Sequence, residues 1–138
     1  MVNVLGFVMM IFADFGTVFP TANLAVGVRM IDKAPKGSYL PKQAMCHHNR
    51  NSAKKPTIYI NLNWWKTETN VYVKKKVIFH ELGHCSLDLR HAGEGIMDTK
   101  LSTVKRDGSN WNKLVSDLKR EVEGNAEMWE RFTIRSSR

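Results

Sequence analysis

Residues 80 to 84 read His-Glu-Leu-Gly-His. On a helix, the i, i+4 spacing sets His80 and His84 on one face about one turn apart, where two imidazoles can share one ion. Zinc accepts neutral imidazole nitrogen at ~2.0 to 2.1 Å, and its catalytic sites take three protein ligands while keeping a fourth position for water. Glu81 directly follows the first histidine, where its carboxylate can take the proton of a metal-activated water as general base. The plainer alternative is an amphipathic helix carrying two solvent-facing histidines. The context speaks against it, because the pentapeptide sits on a capped, periodic helix that follows a strand. Gly83 inside that helix costs roughly 1 kcal/mol against alanine and asks for a reason such as close approach of another segment.

A mononuclear site needs a third ligand. His91 is the nearest histidine after His84, with enough chain between them for the helix to end and turn back. Asp88, Glu94 and Asp98 are rivals, as are Glu121 and Glu123 farther on. Imidazole suits zinc, and turn-forming Ala92 and Gly93 follow His91, which makes it the expected ligand. Cys46-His47-His48 also sets ligand types side by side. Adjacent residues rarely chelate one ion without a distant partner, so no second metal site is expected there. Cys46 and Cys85 are too few for a disulfide framework, and a single bridge or two free thiols both remain open.

The run His80-Glu-Leu-Gly-His84-Cys-Ser-Leu-Asp-Leu-Arg-His91, followed by Gly95-Ile-Met97-Asp98, resembles the metzincin branch of the zincin metallopeptidases. The resemblance implies zinc held by His80, His84 and His91, Glu81 as the base, and Met97 as a methionine turn that floors the site without binding metal. It also implies that an extended strand, Thr57 to Asn63, edges the cleft and pairs with a peptide, with Asn61 and Asn63 near the substrate. The spacing departs from the family's. Leu87 stands where a helix-ending glycine is usual and Arg90 where the third histidine is usual; one extra residue after Cys85 brings Asp88 to the glycine position and His91 to the ligand position. Thr99 stands where some members carry a tyrosine near the reacting carbonyl.

These residues need elements to hold them. Thr69 or Asn70 can cap a helix from about Val71 through Cys85, with Val73, Val77, Ile78 and Leu82 on a broad apolar face. Before it, Val4, Leu5, Val8, Ile11, Phe12 and Phe15 recur at helical spacing within an apolar segment, 1–19, and Gly16 marks a stop. Leu24, Val26 and Val28 alternate in a strand over Asn23 to Ile31, and Ile58, Ile60 and Leu62 in a second over Thr57 to Asn63, which ends at Trp64 and Trp65. Asp32 to Pro56 is polar and proline-rich, a long loop with room for one short element. Ser109 or Asn110 caps a last helix, Trp111 to Glu123, with Gly124 as its end; Met128, Trp129, Phe132 and Ile134 lie in a tail, 125–138.

The chain's 138 residues suit one domain, and 43% hydrophobic with 25% charged residues is ordinary globular composition. Its 21 Lys plus Arg against 13 Asp plus Glu give +8, a field that favours anionic neighbours. The lysines come in short groups, among them Lys74, Lys75 and Lys76, and read as a solvated basic face; no nucleic-acid motif accompanies them, so nucleic acid is not the expected partner. The apolar N-terminus lacks the basic start of a signal peptide, and Asp14 interrupts it short of the ~20 residues a membrane span needs.

The expectation is an α+β zincin-like domain over 1–138: a small twisted β-sheet packed on an active-site helix, with N- and C-terminal helices. It would be a zinc metallopeptidase hydrolysing a peptide or protein substrate, a cell-wall peptide among the candidates. The rival is a catalytically silent component that keeps the fold and docks into a larger assembly through its apolar N-terminus or Trp129 and Phe132.

Overall fold

A computed structural model describes residues 4–48 and 54–136, with side chains described as far as residue 124. Its order is α1 (Val4–Val18), β1 (Gly27–Ile31), β2 (Ala44–His47), β3 (Thr57–Asn61), α2 (Leu62–Thr67), α3 (Val71–Leu87), a 3-10 turn (Leu101–Thr103) and α4 (Trp111–Ser136). The architecture is α+β, with three strands in the order β1-β3-β2. β1 runs parallel to β3, Gly27 opposite Thr57; β2 runs antiparallel, Cys46 opposite Ile58.

The strand predicted over Thr57 to Asn63 stops two residues early. Asn61 turns its side-chain oxygen onto the main-chain N–H groups of Asn63 and Trp64 and so caps α2, while its amide donates to the Pro41 carbonyl. A side chain that satisfies orphan amides of a helix start ends a strand. β3 is also the middle strand, hydrogen-bonded on both sides, so it cannot edge a cleft as expected. That edge belongs to β2, the short element within the polar loop. β1 is likewise shorter than the predicted Asn23 to Ile31.

α1 reaches Val18, past Gly16, and buries Val8, Ile11, Phe12 and Phe15. Leu5, expected to face the core, is 47% exposed. Phe15 meets Phe79 of α3 edge-on at 5.1 Å, and Phe79 meets Trp111 at the start of α4 at 5.1 Å. α3 is therefore the central element, and its residues from Lys76 to Gly83 are buried on every side. Asn70 is its cap, accepting from the Val73 N–H at 3.0 Å. α4 does not stop at Gly124 but continues to Ser136; one glycine costs a long helix only about 1 kcal/mol. Contacts of Trp129 and Phe132 lie outside the described side chains. No helix among the described residues is long and apolar enough to cross a membrane.

Candidate metal centre

α3 ends where Asp88 enters the left-handed region at φ 53°, the only non-glycine residue with positive φ among those described. Asp is among the few residues that adopt it readily. Asp88 thus makes the turn that the extra residue was expected to bring to it, and the Leu89 N–H bonds back to the Gly83 carbonyl at 2.9 Å. The chain reverses over three residues and delivers His91. Its ring lies 5.0 Å from that of His80 and 4.8 Å from that of His84, whose own separation is 4.8 Å. One nitrogen from each ring lies within 4.8 Å of the others. Asp88, Glu94 and Asp98 do not join this group.

The protons decide what the group can do. His80 Nδ1 donates to the Ile96 carbonyl and His84 Nδ1 to the Leu89 carbonyl, both at 2.7 Å. A carbonyl only accepts, so each ring carries its proton on Nδ1 and leaves a bare lone pair on Nε2. Those two Nε2 atoms stand 3.2 Å apart, and neither has a hydrogen to give the other. Two ligands at ~2.0 to 2.1 Å from one tetrahedral ion lie about 3.3 Å apart. Burial pushes the His80 imidazole down to about 4, with the Ile96 carbonyl opposing and Lys76 assisting. Burial lowers His84 as well. Both are neutral imidazoles at pH 7, the form that binds a cation, and the three histidines form a site that could hold a metal.

Glu81 is 6% exposed, and its Oε2 is a buried oxygen with no hydrogen-bond partner. Burial raises its carboxyl to about 8, while the Cys46 main-chain N–H and the Lys76 ammonium draw it back toward the charged form. His80, Glu81, His84 and His91 all line one cavity of about 640 Å³, walled on its far side by Ala44 and Cys46 of β2. An orphaned carboxyl oxygen beside converging imidazoles fits water and an ion in that space.

Met97 is 2% exposed and packs on α3 at Gly83. A Cβ at Gly83 would come within 2.5 Å of the Met97 sulfur, which supplies the reason that helical glycine required. The close approach is by a side chain, and the loop that carries it supports the site at each residue. Ile96 accepts from His80, the Met97 carbonyl from the Ala92 N–H at 3.2 Å, and Asp98 from Lys76.

No protein-family model, curated protein or solved structure matches this chain.

Asn61 is committed to capping, Asn63 lies on α2, and neither lines the cavity. Cys46 is bonded to Cys85, with Cα atoms 5.7 Å apart, so its sulfur offers no metal ligand beside His47 and His48. The bridge ties the edge strand to α3 one residue beyond His84. Sequence reasoning missed Lys76 by grouping it with solvated lysines: it is 2% exposed and lines the cavity. The spacing 76, 80, 84 on one helix face was the available signal.

Proposed function

We propose that this chain is a zinc-dependent peptidase of the zincin type, with His80, His84 and His91 as ligands, Glu81 as general base and Met97 as the floor. The observation that carries the reading is the pair of bare Nε2 lone pairs at 3.2 Å, completed by His91 and by the unpartnered Glu81 oxygen in the same cavity. Three imidazoles with an unpartnered carboxyl nearby are a donor set that suits zinc and leaves a coordination position open. Beside a bound cation that carboxyl returns to its charged form. When bound, zinc supplies Lewis acidity, which acidifies water and polarises a carbonyl oxygen. Glu81 takes the proton of the attacking water and returns it to the leaving amine. The Ile96 and Leu89 carbonyls keep His80 and His84 in the tautomer that presents Nε2. β2, the edge strand on the cavity wall, is the expected place for an extended peptide to add by main-chain hydrogen bonds.

Glu81→Gln keeps the size of the side chain and removes the base. Its expected result is a loss of at least about 100-fold in peptide hydrolysis with the zinc content of the parent retained. Peptidase activity near that of the parent would refute the role of Glu81. Stoichiometric zinc in a parent protein that cleaves neither a broad peptide library nor peptidoglycan would favour the silent binding component.

A further inference from the structure

Lys76 is the only buried lysine or arginine among the described residues whose burial is known. It stands one turn before His80 on α3 and lines the cavity that holds the three histidines and Glu81. An ammonium has three N–H donors and no acceptor. Two of them go to Asp98, at 2.7 Å to the main-chain oxygen and 3.2 Å to Oδ1. The Asp98 carboxylate is not reserved for Lys76. Its Oδ1 also takes the Lys100 N–H at 2.8 Å, and its Oδ2 takes the Thr103 hydroxyl. Asp98 is therefore well supplied with donors, whereas Lys76 keeps a third N–H for which no described residue provides an acceptor.

A clamp between α3 and the Met97 loop does not require this arrangement. Two apolar side chains of similar volume would join the same elements at equal or lower cost than a buried ion pair. A spare donor on a buried cation at a cavity wall is instead suited to an incoming anion, because charge-assisted hydrogen bonds are the strong ones. Arg90 lines the same cavity, and the +8 charge of the chain draws acidic molecules toward it. Of the other carboxyls of the lining, Glu81 feels the Lys76 charge without hydrogen-bonding to it, and Asp88 lies past the end of α3.

We propose that Lys76 determines specificity by binding the acidic side chain of the substrate residue that adjoins the cleaved bond. About 6 Å of helix rise separates residues 76 and 80, within reach of a Glu side chain next to a bond held at the histidines. The inference rests on the peptidase reading for where the peptide lies.

The test uses zinc-loaded Glu81→Gln protein and two blocked tripeptides that differ only in a central Glu or Gln, with binding measured by calorimetry. The Glu peptide is expected to bind at least about tenfold tighter. Adding Lys76→Met, or Lys76→Met together with Asp98→Asn so that no partner charge is stranded, is expected to bring that ratio to about 1. Zinc content and circular dichroism show which variants are folded. Equal or undetectable binding of the two peptides by the parent overturns the proposal, as does a Glu preference that survives loss of Lys76. Cleavage of the same peptides by the unmodified chain separates the two readings. A Lys76-dependent preference without cleavage keeps the site and removes the peptidase, whereas cleavage without a preference keeps the peptidase and removes the role of Lys76.

Discussion

Two neutral imidazoles whose bare nitrogens face each other at 3.2 Å gain nothing from that approach unless something positive sits between them. The tautomers that enforce it come from the carbonyls of Ile96 and Leu89, residues whose only visible role in the sequence was to flank His91 and Met97. His80, Glu81 and His84 were legible because i, i+4 is a property of any helix, and His91 because a turn had room to return it. The protonation of these groups was not legible, since it depends on burial by distant segments. It yields a prediction for the metal-free protein. Burial holds Glu81 near 8 against an ordinary 4.5, so between those values the folded chain keeps a proton that the unfolded chain has lost, and stability falls as pH rises. His80, held near 4 against 6.5, acts in the opposite sense from pH 4 to 6.5, where the unfolded chain is the one that binds the proton. His84, lowered by burial as well, acts with His80, and both effects fade above pH 6.5, where Glu81 carries the falling slope. Chelator-treated protein is expected to lose up to about 2 kcal/mol between pH 6.5 and 8, and Glu81→Gln to remove most of that slope. Denaturant melts across this range check it, and an unchanged slope in the variant would show that Glu81 does not titrate as its burial dictates.

α3 and the loop after it work as one device. Gly83 gives Met97 room, Asp88 turns the chain, and the loop returns acceptors to His80 and Lys76. Periodicity and caps made α3 readable because both are local. β2 was hidden, since Ala44–His47 is four residues in a polar stretch and becomes a strand only by pairing with β3. Its neighbour was misjudged at the end, because Asn61 fits the end of a strand as well as the start of a helix. Gly83→Ala tests the device. Alanine gains about 1 kcal/mol of helix propensity, yet its Cβ would sit 2.5 Å from the Met97 sulfur, and overpacking of this kind costs typically 1–3 kcal/mol. A net loss of about 1 kcal/mol is expected, or a fall of roughly 3 °C in Tm. A rise in Tm would mean that Met97 yields freely and floors nothing.

At the scale of the molecule, α1, α3 and the start of α4 share one core through Phe15, Phe79 and Trp111, while the sheet contributes Ile58 and Ile60. The α+β class followed from element order, as alternating short strands and capped helices in a chain of this length leave few other arrangements. The partner of each cysteine did not follow, because a bridge depends on which strand lies against α3. The Cys46–Cys85 bond holds the cavity wall to the helix that carries His80 and His84, so protein prepared under oxidising conditions is the form to study. Metal itself is the decisive measurement. Elemental analysis of protein purified without chelator is expected to find about one zinc per chain, as a three-histidine site requires, and far less after His84→Ala. A parent protein that carries no metal and takes up none when zinc is supplied would contradict the account.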